Sequence, residues 1–124
     1  MTGVPRSLLV TVTCDLAAAE RLNQALTVPA TAAASGVSVS VWLSGEATSL
    51  ALAGFAETLP ALPHAVPVAE LRDTLLELAT VTVCAQCARR RDITEADLLP
   101  GARIAGAAAF VEESLADGVQ ALVY

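Results

Sequence analysis

Histidine is nearly absent from this sequence: there is one, His64, in 124 residues. No Ser, His and Asp pattern of any specificity is visible, and one histidine leaves little room for a catalytic triad. All seven basic residues are arginine, against thirteen acidic ones, giving a net charge of −6 and a pI near 4.5. Bulk electrostatics therefore repel nucleic acid and acidic membrane surfaces. Long apolar runs are missing too. The longest, near 101–111 and 115–124, are each broken by Gly, Arg or Asp and fall short of the ~18–20 residues a membrane-spanning helix needs. No glycine-rich phosphate loop appears. Gly101 to Gly106 contains a strand instead of following one, so it is no dinucleotide fingerprint.

Cysteines number three: Cys14, Cys84 and Cys87. An odd count in a chain that does not look exported argues against a disulfide framework. Reactive, metal-binding or buried thiols are expected instead. The N-terminal stretch has one basic residue, Arg6, and no long apolar segment, so no signal peptide and a cytoplasmic location are expected. What the chain does have is apolar content: 55% hydrophobic residues, much of it alanine, with 16% charged and only 3% aromatic. That balance excludes a disordered chain. The length fits one domain over residues 1–124.

The hydrophobic pattern alternates between strand and helix signals. Ser7 to Thr13 reads as a strand, with Cys14-Asp15 ending it and Asp15 as the N-cap of a helix over 16–35. Gly36 stops that helix, and Pro29 within it is expected to kink or split it. Val37 to Leu43 is the second strand. Residues 48–57 read as a short helix, the proline-containing stretch 58–68 as a loop, and 69–79 as a helix with leucines at helical spacing. Val81 to Cys84 is the third strand, 85–91 a short helix, and Thr94 to Asp97 a capping box. Arg103 to Ala105, a helix over 107–116 and a strand from Val119 to Tyr124 complete the chain. This order implies parallel strands with right-handed helical crossovers, hence a three-layer α/β/α sandwich around a five-stranded parallel sheet.

In open α/β sheets, sites gather at the carboxyl ends of the strands. There lie Cys14-Asp15, Ser44-Gly45-Glu46 and Cys84-Ala85-Gln86-Cys87, so all three cysteines fall on one edge. A thiol at the strand-to-helix turn of Cys84 is favoured as thiolate by the helix dipole and by Arg89, Arg90 and Arg91. Such a thiolate can attack sulfur. The alternative is a small buried hydrophobe at a strand end. Cys87 completes a C-x-x-C pair, which can form a redox disulfide or half a zinc site, or it is a buried helix residue. Zinc would need Cys14 and His64, and His64 sits in a proline loop without ligand spacing. Cys14 reads as structural rather than catalytic. The arginine run equally serves to solvate a helix end. No metal or cofactor is assigned.

Three segments carry a family likeness. They are the first strand and alanine-rich helix running into Ala34-Ser35-Gly36-Val37-Ser38-Val39; Val81 to Thr94, with its strand, cysteine, short helix and arginine-rich turn; and Ile104 to Glu112 followed by the last strand. In this order the chain resembles the DsrE/TusD-like sulfur-relay family over nearly its whole length. The resemblance implies a five-stranded α/β/α domain and a homo-oligomer, trimeric or hexameric, or a hetero-oligomer with related subunits. It also implies sulfur donor and acceptor proteins as partners. In relay members the cysteine matching Cys84 carries a persulfide, which makes this chain a sulfurtransferase-like carrier. On that reading Ala85 and Gln86 offer N–H groups to the anionic sulfur, with Arg89, Arg90 and Cys14 as supporting residues. Cys87 could instead resolve the persulfide, giving a thiol-redox protein. A non-catalytic oligomeric module binding a small ligand or partner is the other alternative. Asp92 stands where the family's turn usually has glycine, and Cys87 is a thiol that relay members do not require.

Overall fold

The structure, a computed structural model, describes residues 6–124. The reading of the N-terminus as leader-free rests partly on residues 1–5, which lie outside that range. Five strands form one sheet: β1 (Ser7–Val12), β2 (Ser38–Leu43), β3 (Thr80–Cys84), β4 (Ala102–Ala105) and β5 (Val119–Val123). All pairings are parallel and the spatial order is β4-β3-β2-β1-β5. Four α-helices connect them: α1 (Ala19–Ala34), α2 (Val68–Leu78), α3 (Ala85–Arg90) and α4 (Ala107–Ser114).

The topology decides which helix covers which face. From β1 to β4 the chain steps one strand at a time in one direction. From β4 to β5 it crosses back to the far side of β1. Right-handed crossovers taken in opposite directions pass over opposite faces. So α1 and α2 share one face, and α4 lies on the other. The first face is apolar because strand residues of one parity are. Val10, Val12, Val39, Val41, Leu43, Val81 and Val83 pack with Leu22, Ala25 and Leu26 of α1 and Leu71 and Leu75 of α2. Each fully buried side chain of this size contributes about 1.5–3 kcal/mol.

The opposite parity faces α4 and is more polar. Thr11, Trp42, Thr82 and Arg103 are lateral partners across β1, β2, β3 and β4. Arg103 donates from Nε to Thr82 Oγ1 at 2.8 Å and pairs with Glu113 at 3.0 Å. Ser40 donates to the other Glu113 oxygen at 2.6 Å. Glu113 thereby fastens α4 to the sheet. Buried Thr82 has its hydroxyl satisfied, as a buried polar group requires.

Three local expectations are corrected. Asp15 does not cap α1. Its Oδ1 accepts the Ala17 N–H at 2.7 Å in a separate turn, and the helix begins at Ala19 with Ala18 as an uncapped N-cap. A short Asp side chain competes well for such local turns. Pro29 does not split α1, because it lies on the buried face with Leu22, Leu26 and Ala33, where packing continues through it. Residues 48–57 do not form an α-helix but sit in two 3-10 turns, Gly45–Ala51 and Ala56–Thr58. Leu52 leaves the helical path to bridge Leu98, the Leu99 N–H bonds the Ala51 carbonyl at 2.8 Å, and Gly54 turns the chain with φ of 79°. Tertiary pairing here overrides the helical propensity of an alanine-rich segment.

Candidate functional site

The carboxyl ends of β1, β2 and β3 and the start of α4 border an open pocket of about 180 Å³. Its walls are Thr11, Trp42, Ser44, Cys84, Ala107 and Phe110. Cys84 is the last residue of β3 and the N-cap of α3. The strand thus delivers it to the edge, and the turn into α3 leaves it partly exposed while most of β3 is buried. Phe110 packs edge-on against Trp42, centroids 5.3 Å apart. Thr11 Oγ1 and Trp42 Nε1 are buried beside the pocket and have no hydrogen-bond partner among the described residues.

The surroundings of Cys84 favour its thiolate. Partial burial pushes its pKa up. The Cys87 amide and thiol, the Gln86 amide and the Arg90 charge outweigh that and lower it. None of the amides closes to a well-formed capping hydrogen bond, but sulfur is large and diffuse, and oriented N–H groups act on it across a longer gap. The amides at work are those of Gln86 and Cys87 rather than of Ala85. An N-cap side chain reaches the second and third amides of its helix, not the first.

The other candidate residues are dispersed. Cys87 is buried, and its sulfur accepts the Gly45 N–H at 3.2 Å. Cys14 lies at the same edge of the sheet but belongs to the apolar core, and burial pushes its thiol up. It does not line the pocket of Cys84. Arg89 and Arg90 occupy the last turn of α3 and are exposed. Arg91 turns back to donate to the Cys87 carbonyl at 3.1 Å. His64 lines a different hollow with Glu20, Asn23 and Gln24. Among the described residues no three His, Cys, Asp or Glu side chains converge as a metal site would need.

Thr11, Trp42, Ala107 and Phe110 were not singled out by sequence reasoning. A parity count along β1 and β2 places Thr11 and Trp42 on one face, but only the topology brings α4 over them.

An α/β domain with a partly exposed cysteine opening onto a pocket at the carboxyl edge of its parallel sheet is the class of protein this fold defines. The profile of the DsrE/DsrF-like family matches residues 7–123, and the chain belongs to that family. The structure is similar to that of the ychN protein from E. coli, with a TM-score of 0.75 at 15% identity, covering 96% of this chain and 99% of that one. It is also similar to MTH1491, a protein of unknown function from Methanobacterium thermoautotrophicum, with a TM-score of 0.64 at 12% identity over 96% and 98% of the two chains. At these identities the likeness establishes the fold. No curated protein matches the sequence. Among the described residues no helix is long and apolar enough to cross a membrane.

Proposed function

We propose that the chain works as a single-domain cytoplasmic sulfur carrier of the sulfurtransferase type. The Cys84 thiolate attacks the outer sulfur of a donor persulfide. A new S–S bond forms on Cys84, the donor's S–S bond breaks, and the donor leaves as thiolate. An acceptor thiolate on a partner protein then takes the sulfur by the same exchange. Family membership supports this reading, and one observation carries it. The partly exposed thiol whose pKa is lowered is also the thiol that opens onto the pocket. A carrier needs a thiolate that donor and acceptor can reach.

The apolar side chains left in solvent favour an oligomer, a trimer or hexamer of this chain or an assembly with related subunits. Leu115 is 78% exposed beyond α4 and Val123 is 72% exposed on the edge strand β5. The same surface supports a second reading, a non-catalytic module that binds a small ligand or partner. Intact mass after incubation with a sulfane-sulfur donor separates the two. A carrier gains the mass of one sulfur, reversibly with reductant, and Cys84→Ser gains none. A wild-type protein that gains nothing, with Cys84 slow to alkylate, is the binding module.

A further inference from the structure

The C-x-x-C pair is used only in half by a carrier. Cys84 and Cys87 stand at the N-cap and third positions of α3, the spacing at which capping side chains face each other. That spacing sets both thiols at the first turn of α3, on the same side of the helix. Cys87 is also fixed from behind. Gly45, at the turn after β2, holds φ of 58° and donates its N–H to the Cys87 sulfur at 3.2 Å. Cys87 is 8% exposed while Cys84 lines the pocket. External thiols therefore reach a sulfur carried on Cys84 more readily than they reach Cys87.

We propose that Cys87 is the resolving thiol for a persulfide on Cys84 when no acceptor protein is docked, which gives the chain a sulfane-sulfur reductase activity beside its carrier role. This rests on the reading of Cys84 as the sulfur acceptor. The Cys87 sulfur attacks Cys84 Sγ, and a Cys84–Cys87 disulfide forms as the bond from Cys84 to the outer sulfur breaks. The outer sulfur leaves as hydrogen sulfide, taking the persulfide proton and the Cys87 proton. It gains one electron, the Cys87 sulfur gives up one, and Cys84 Sγ stays at the same oxidation level. A dithiol reductant then exchanges with the disulfide, becoming a disulfide itself and restoring both thiols. Placement three residues away makes the step intramolecular, which favours it strongly over capture by a dilute external thiol.

The test loads the full chain anaerobically with inorganic polysulfide, removes the donor, and follows intact mass and released sulfide without reductant. Wild type is expected to gain one sulfur, then decay to a species two hydrogens lighter than the starting protein with one equivalent of sulfide. Peptide mapping should join Cys84 to Cys87. Cys87→Ser and Cys87→Ala should keep the added sulfur, losing it more than about tenfold more slowly; Trp42 emission verifies their native packing. Cys84→Ser should gain no sulfur and release no sulfide. If the wild-type adduct lasts as long as that of the Cys87 variants, or if the disulfide involves Cys14, the resolving role is overturned and the carrier reading stands. If neither wild type nor the Cys87 variants take up sulfur, the carrier reading fails and takes the resolving role with it.

Discussion

The ring of Phe110 meets the ring of Trp42 edge-on, with planes at 84° and centroids 5.3 Å apart. This contact crosses from α4 to the sheet. α4 has no fully buried residue of its own, so it is held by this ring pair and by the Glu113 contacts to Ser40 and Arg103. Phe110→Ala is expected to cost about 1–2 kcal/mol, less than a fully buried ring because Phe110 is only partly covered. Trp42 is the one tryptophan of the chain, so its emission should move to longer wavelength as the pocket opens. Urea unfolding read by that emission checks both effects. An unchanged midpoint and emission maximum would show that the ring pair does not hold α4.

Cys84 and Cys14 should react in a defined order. Cys84 titrates below an ordinary thiol and is partly exposed; Cys14 titrates above one and is buried. Alkylation of the native protein across a pH series should modify Cys84 first, with a midpoint below 9.0, the ordinary value. Cys14 should react only on unfolding. Arg90→Gln removes a charge that stabilises the thiolate and should raise the Cys84 midpoint without changing the order. A Cys14 that alkylates as fast as Cys84 in the folded protein would contradict this account of the site.

Acid stability should depend on one ion pair on the far side of the molecule. Buried Arg72 grips Glu57 with two hydrogen bonds, at 2.8 and 2.7 Å, and donates to Asp73 at 3.0 Å. The hydrogen bonds from Arg72 bring Glu57 from its ordinary 4.5 down to about 2. A carboxylate with a depressed folded pKa adds stability that is fully present above its unfolded value and is lost as pH falls through the folded one. The window is therefore from pH 4.5 down to about 2. Glu57→Gln should flatten the fall in urea midpoint across that window. Equal slopes for variant and wild type would rule the pair out as a source of acid sensitivity.

Two left-handed positions should respond in opposite directions. Asp92, at φ of 54°, ends α3, with its N–H on the Arg89 carbonyl at 3.2 Å and the Ile93 N–H on the Ala88 carbonyl at 2.9 Å. This is the closing turn that glycine fits best. Asp92→Gly should stabilise by about 0.5–1 kcal/mol, the relief of strain exceeding glycine's greater freedom when unfolded. Gly101 has φ of 97°, and a Cβ there would lie 3.0 Å from the Leu76 carbonyl oxygen. Gly101→Ala should destabilise by more than about 2 kcal/mol, since strain and backbone clash add. Thermal unfolding of both variants reads the two signs, and a stabilised Gly101→Ala would refute the close approach.

The alternation of Val10 and Val12 with Thr11, and of Val39 and Val41 with Ser40, is a property of the sequence alone. It marks parallel strands with one face more apolar than the other, and with the helical segments between them it determines the α/β class. Cys84 was legible as a candidate for the same local reason, because a strand ending in cysteine before a short helix places that thiol at a turn. The partners of Cys84 were not legible. Trp42 and Phe110 are 68 positions apart in the numbering, and nothing within either segment refers to the other. They meet because the β4-to-β5 crossover reverses direction and carries α4 over the second face. Likewise, the Gly45 N–H reaches Cys87 only because β2 and β3 are neighbours in the sheet. The 48–57 segment was misread for the complementary reason: its helical propensity is local, and the bridge from Leu52 to Leu98 that overrides it is not. Periodicity and propensity act over a few residues, so sequence determined the five strands, the main helices and the candidate thiol. Packing acts between distant segments, so only the tertiary structure decided the pocket, the hold on Cys87 and the burial that sets Cys14 apart.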